Sequence, residues 1–130
     1  MRIHPYLNFD GKTEEAFRFY AQALGGKLTE IHRFGSMPSQ GGLELPDGQM
    51  IMASDVLEGM GPPHVEGNNI SISVHPDSRQ DADRIFNALA QGGTITMPIA
   101  DQFWGDYFGS LTDRFGINWM VNHTPASRPQ

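Results

Sequence analysis

The stretch FDGKTEEAFRFYAQALGG, Phe9 to Gly26, decides how this chain is read, because it returns in different letters as VHPDSRQDADRIFNALAQGG, Val74 to Gly93. Each begins at the end of a strand-like segment and passes through turn residues. Each then sets apolar side chains at helical spacing and stops at two glycines. In the first copy Ala16, Phe17, Tyr20, Ala23 and Leu24 recur three and four residues apart, the signature of one buried helix face. Thr13 is placed to cap that helix, and Glu14 and Glu15 suit the positive end of its dipole. Gly25-Gly26 supplies a stop where a left-handed backbone is easy. In the second copy Ser78 is the cap and Asp81 completes a capping-box-like pair. Ala82, Ile85, Phe86 and Leu89 form the stripe, and Gly92-Gly93 ends it 67 residues after the first pair.

Working outward, strand patterns flank both helices. In the first half they cover Ile3 to Phe9, Lys27 to Phe34, a short piece at Gly42 to Leu45, and Gln49 to Ser54. In the second they cover Asn69 to Val74, Thr94 to Met97, Tyr107 to Leu111, and Ile117 to Asn122. Turns at Pro46-Asp47-Gly48 and Asp113-Arg114-Phe115-Gly116 precede the last strand of each half. Gly35 to Gly42 reads as a loop, Val56 to Asn68 as the linker between halves, and Thr124 to Gln130 as a flexible tail. The expected architecture is α+β, one domain over residues 1–123, with module one at 1–57 and module two at 68–123.

A strand sends alternate side chains to opposite faces. Leu7, Phe9, Ile51, Ala53, Ile70, Ile72, Val74, Ile117, Trp119 and Val121 make an apolar face for the helices to cover. The other face carries His4, Tyr6, Asn8, Met50, Met52, Ser54, Asn69, Ser71, Ser73, Asn118, Met120 and Asn122. Methionine walls with a few hydrogen-bonding groups suit a small-molecule trough better than a washed sheet surface.

A chain of 130 residues with 38% hydrophobic and 18% charged residues is the size and composition of one globular domain. No apolar run is long enough to span a bilayer. A net charge of −6 with scattered basic residues disfavours nucleic acid. The absence of cysteine removes disulfides and thiolate chemistry, and no secretory leader pattern opens the chain, so the expected location is the cytoplasm. No GxSxG, P-loop or GxGxxG motif is present, and His32, His64, His75 and His123 lack metal-binding spacing. Four aromatics, Phe103, Trp104, Tyr107 and Phe108, crowd around Gly105. Some belong in the core, while Trp104 or Tyr107 is placed to clamp a ligand. Asp106 among them is the one carboxylate considered for proton transfer.

PYLNFDG (Pro5–Gly11), EEAFRFYAQALGG (Glu14–Gly26), FGSMP (Phe34–Pro38), MIMASD (Met50–Asp55) and FWGDYFGSLTDRFGINWMVN (Phe103–Asn122) together resemble the vicinal oxygen chelate superfamily of glyoxalase I, bleomycin-resistance proteins and extradiol dioxygenases. The similarity is greatest to its PhnB-like branch. The resemblance implies two βαβββ modules forming a curved mixed sheet around a cleft, commonly in a homodimer. The stretch from Phe34 to Met50 is shorter than in many such relatives, which leaves the third strand of module one open.

Metal-dependent members of the superfamily take a ligand from the first and the last strand of each module. Aligning the two halves pairs His4 with Asn69 and Met52 with Met120, and a one-residue slip would put Pro5 in the place of His4. The usual ligands are His, Glu or Gln, three of these four positions do not serve well, and a thioether in particular is a poor ligand for zinc, magnesium, manganese or ferrous iron. The leading reading is therefore a metal-independent small-molecule-binding protein without a cofactor. Its ligand would meet His4, Tyr6, Met52, Ser54, Asn69, Ser71, Trp104, Tyr107, Met120 and Asn122. Two alternatives stand beside it: a metal-dependent glyoxalase- or dioxygenase-type enzyme, and a sheet face used only for dimer assembly.

Overall fold

A computed structural model describes residues 1–29, 32–34, 37–56 and 64–125. The chain divides into two compact units, Met1–Glu66 and Gly67–Gln130, and the division falls inside the expected linker. The first unit runs β1 (Tyr6–Phe9), α1 (Thr13–Leu24), β2 (Lys27–Leu28), β3 (His32–Phe34), β4 (Met37–Glu44) and β5 (Met50–Asp55). Its sheet has the order β1-β5-β4-β2, with β3 paired to β4. The second unit runs β6 (Ile72–Val74), α2 (Arg79–Ala90), β7 (Thr94–Asp101), β8 (Tyr107–Thr112) and β9 (Asn118–His123), in the order β6-β9-β8-β7. In both, the first strand lies parallel to the last and the remaining path is antiparallel. This is the α+β, βαβββ pattern expected of each half.

The helices bury the stripes read from the sequence. Ala16, Phe17, Tyr20 and Ala23 of α1 are buried, as are Phe9, Leu43, Ile51 and Ala53 in its own unit, where α1 packs on β4 and β5. Ala82, Ile85, Phe86 and Leu89 do the same on α2, over a sheet that buries Leu111, Trp119 and Val121. Each large apolar side chain removed from water in this way stabilises by about 2 kcal/mol. The second glycine of each helix stop lets a neighbouring strand come close. A Cβ on Gly26 would meet Glu44 O at 2.9 Å, and one on Gly93 would meet Thr112 O at 2.3 Å. Gly25, by contrast, caps α1 in the left-handed region, with φ 74°.

Several boundaries differ from the sequence reading. The loop expected at Gly35 to Gly42 is instead β4 from Met37 onward, and it supplies the third strand that the short stretch left open. Its two glycines are weak strand formers, but β5 pairs with them directly (Gly41↔Ala53, Gly42↔Met52), so the neighbouring ladder overrides local propensity. Lys27 to Phe34 divides into β2 and β3, and residues 30 and 31 lie outside the described set. β7 continues past Met97 to Asp101 through two register shifts, with Pro98 tolerated on an edge strand. β6 begins only at Ile72, which leaves Ile70 77% exposed and removes it from the expected core face.

Thr13 is not the cap of α1. It is the first helical residue, buried, and both its N–H and its hydroxyl donate to Asp55 Oδ1, at 3.0 and 2.7 Å. The end of α1 is thus satisfied from β5, 42 residues away. Ser78 does cap α2, its hydroxyl oxygen accepting from Asp81 N at 3.0 Å, while the Asp81 carboxylate pairs with Arg84. Most of the expected linker, 57–63, and most of the expected tail, 126–130, lie outside the described residues. No helix of the described chain is long and apolar enough to cross a membrane.

Candidate functional site

Register assigns every strand side chain to a face. In the second unit Asn118, Met120 and Asn122 stand opposite Thr112, Ser110 and Phe108, and Ser73 stands opposite Met120. Farther out, Thr94, Met97 and Ala100 oppose Thr112, Ser110 and Phe108. Partners directly opposite share a face, so these ten residues form the side of the sheet turned away from α2. None of them carries a formal charge. Several of their hydroxyls and amides are engaged: Thr112 Oγ1 donates to Asn118 Oδ1 at 2.9 Å, Ser110 Oγ lies 2.7 Å from Thr96 Oγ1, and Ser73 Oγ lies 2.9 Å from His75 Nε2. Asn118 Nδ2 also reaches the carbonyls of Gly67 and Ile70, at 3.3 Å each, and so ties down the segment that leads into β6. Asn69 and Ser71 lie in or beside that exposed segment, ahead of the strand.

In the first unit Tyr6 opposes Met52 and Asn8 opposes Ser54. Met52 and Ser54 are half-buried and Tyr6 is exposed. His4 precedes β1 and is half-buried, and the adjacent Pro5 carbonyl accepts from Met52 N at 2.9 Å. This face is not free of charge at its far edge, where Lys27, Glu44 and Met50 follow one another across the strands.

The aromatic cluster sits on the β7–β8 connection, which is tightly closed: Gln102 N donates to Asp106 O at 2.8 Å and Gly105 N to Gln102 O at 3.0 Å. The Gln102 amide adds bonds to the carbonyls of Ala100 and Phe108, at 3.1 and 3.3 Å. On this loop Phe103 is 97% exposed and Trp104 43%. The Trp104 ring contacts Phe103 edge-on at 5.0 Å and Phe108 at 6.0 Å between centroids. Phe108, which sequence reasoning noted but did not select, belongs to the open face. Counting back in twos from Thr112 would have found it.

Tyr107 belongs to the opposite face. It stands across from Asp101 and His123, donates its hydroxyl to Asp83 of α2, and lies beneath the Arg79 guanidinium, 3.9 Å from the ring centroid. Arg79 in turn holds Asp101 by two bonds, at 2.8 and 3.2 Å. The bond to Asp83 pushes the Tyr107 phenol above its ordinary range, reinforced by burial and by the Asp83 charge. Strand alternation is the reason Tyr107 and Met120 do not share a face. Asp106 is 8% exposed, and its Oδ2 accepts from Asn122 Nδ2 at 3.2 Å. The structure therefore brings together Trp104, Asp106, Met120 and Asn122 in the second unit, and Tyr6, Met52 and Ser54 in the first.

Pairing also corrects the internal alignment. Met52 and Met120 are equivalent, but their first-strand partners are Tyr6 and Ser73, so His4 corresponds to Ser71 and Asn69 to Arg2. The ladder, not the ends of the apolar runs, sets the register. The four positions, two just ahead of the first strands and two in the last strands, then read His4, Ser71, Met52 and Met120. One imidazole, one hydroxyl and two thioethers do not fit a resident hard or borderline divalent ion. Among the described residues no group of three or more His, Asp or Glu side chains is placed to hold a metal.

Residues 2–121 match the family described as Glyoxalase/Bleomycin resistance protein/Dioxygenase superfamily. Protein YjdN of Escherichia coli is 31% identical, over 94% of this chain and 95% of its own length. Protein PA1353 from Pseudomonas aeruginosa superposes with a TM-score of 0.86 at 40% identity, covering 95% of this chain and 98% of that one. A PhnB protein from Bacillus cereus does so with a TM-score of 0.82 at 26% identity, covering 95% of this chain and 100% of that one.

Proposed function

We propose, from the premise that this chain belongs to the glyoxalase/bleomycin resistance protein/dioxygenase superfamily, that it is a small-molecule-binding protein working without a resident metal. The observation that carries this reading is the pair Met52 and Met120, which occupy equivalent last-strand positions where the metal chemistry of the superfamily needs an oxygen or nitrogen donor. What remains on the open faces is adaptable apolar surface with spaced hydrogen-bonding groups, the usual lining of an organic ligand site. Tyr6, Met52 and Ser54 are the contacts proposed in the first unit, and Trp104, Met120 and Asn122 in the second. His4, Asn69 and Ser71 flank them at the entrances to the first strands. Asp106 is given a positioning role, since its carboxylate holds the Asn122 amide. A homodimer in the cytoplasm is part of the same reading.

The test is elemental analysis of protein purified without chelator, joined to melting curves with added Mn, Ni, Zn and Fe. No stoichiometric metal and an unchanged melting temperature are expected. One divalent ion per chain, with a melting temperature that climbs with metal concentration by linkage, would overturn the reading in favour of a metal-dependent enzyme.

A further inference from the structure

The loop Gln102–Asp106 presents a large aromatic side chain almost wholly to solvent and a second one partly so, yet it is built as a rigid element. Its backbone is closed on itself, and Gln102 bonds to the strands on both sides. The residues at its two ends are both fastened to the first turns of α2, Asp101 through Arg79 and Tyr107 through Asp83. Exposed Phe and Trp side chains are ordinarily withdrawn from water, and a loop that had only to connect two strands would not need this many restraints. Held this way, the loop sets Trp104 against Phe108 at one border of the open face, with the exposed Phe103 ring edge-on to Trp104. Beside it lie Met120, Ser110 and the Asn122 amide, and no formal charge occurs at any strand position of that face. The nearest ionisable group on the loop is the buried Asp106 carboxyl, which is bonded to the Asn122 amide.

We infer that this border is a preorganised platform for a neutral, planar aromatic ligand, stacked on Trp104 and donating a hydrogen bond to Asn122 Oδ1, since Asn122 Nδ2 already donates to Asp106 and Thr124. The inference rests on the small-molecule reading and narrows it to a ligand class. Arg79 and Tyr107 are positioning residues, because they fix the ends of the loop without reaching the open face.

The experiment uses the full chain and three probes: 1-naphthol (neutral, planar), decahydro-1-naphthol (its saturated counterpart) and 1-naphthalenesulfonate (its anionic counterpart). Binding is measured by calorimetry and by the two tryptophan indole N–H resonances, of which only Trp104 is exposed, Trp119 being 1% exposed. The expected result is that 1-naphthol binds at least about tenfold tighter than either counterpart, shifts the Trp104 signal and leaves that of Trp119 in place. Trp104→Ala weakens binding about tenfold, the scale of one aromatic stacking contact. Trp104→Phe restores most of the loss, and Tyr107→Phe weakens binding less than Trp104→Ala does. Equal binding of the saturated probe, unaffected by Trp104→Ala, would overturn the aromatic platform and leave the small-molecule reading standing. Tighter binding of the sulfonate would overturn the preference for a neutral ligand. If no probe binds and the Trp104 signal instead moves on dilution, the loop is a contact between copies of the chain and both readings fail.

Discussion

Leu45 and Ile51 occupy in the first unit the places that Asp113 and Trp119 occupy in the second. Both pairs flank the same hairpin. Leu45 N donates to Gln49 O and Gly48 N to Leu45 O, just as Asp113 N donates to Ile117 O and Gly116 N to Asp113 O. In the second unit Asp113 adds a hub of charged hydrogen bonds, accepting from Phe115 N, Ile117 N and, at 2.8 Å, the indole of Trp119. In the first the corresponding positions are aliphatic and the hairpin keeps only its backbone bonds. The helix ends differ in the same spirit, α1 being satisfied from a distant strand and α2 by its own Ser78. The comparison teaches that the βαβββ path is set by strand register and apolar alternation. The polar devices that secure it are chosen separately in each unit.

The largest effect is expected at the hub. Asp113→Ala leaves the buried Trp119 indole and two backbone donors without their carboxylate, and should cost about 4 kcal/mol, measured by urea unfolding. Asp113→Leu combined with Trp119→Ile, which copies the first unit, should cost less than the sum of its single variants by at least about 1 kcal/mol. Full additivity would show that the two positions are not exchanged as a pair.

Next come the close glycines. Gly93→Ala should cost about 3 kcal/mol and Gly26→Ala about half of that. The first forces a methyl group into a backbone carbonyl at 2.3 Å, whereas the second meets its nearest atoms at 2.9 Å and one of these belongs to a leucine side chain. Equal costs would mean that both units relax alike.

The two helix starts make a smaller contrast. Asp55→Ala should cost about 2 kcal/mol, because a backbone donor and a buried hydroxyl both lose their acceptor. Ser78→Ala should cost about 1 kcal/mol, the usual value for one cap. The reverse order would break the distinction between a remote and a local cap.

The smallest effect is at Tyr107. Its phenol is raised in the folded state by donation to Asp83, so the neutral form is favoured there. The stabilisation is fully present below the unfolded phenol value of about 10 and is lost as pH rises through the raised folded value. Tyr107→Phe should cost about 0.5 kcal/mol near neutral pH. The wild-type chain should then fall toward the variant in stability above about pH 10, followed by melting curves across alkaline pH.

Repetition made much of the fold legible. Once Phe9–Gly26 is matched to Val74–Gly93, the helix faces, the glycine stops and the order of strands follow from spacing alone. Less of the candidate site could be read. Alternation puts Met52, Met120 and Asn122 on the face away from the helices, and composition singles out Trp104. The sequence does not separate Tyr107, which stands on the opposite face, from Trp104, because an aromatic at the edge of a loop offers no sign of which way the strand will begin. Apolar runs align Asn69 with His4 because they show where a strand could lie, not where pairing starts.

By itself the sequence determined the two-module α+β plan, the buried stripes of both helices and the poverty of metal donors at the last-strand methionines. Each of these depends on residue type and local period. Only the tertiary structure decided that β4 is a strand, that Asp55 serves the start of α1, that His4 aligns with Ser71, and that Phe108 rather than Tyr107 joins Trp104. Those outcomes rest on which backbone lies beside which across tens of residues, where hydrogen-bond register and close packing override the preferences of any short segment.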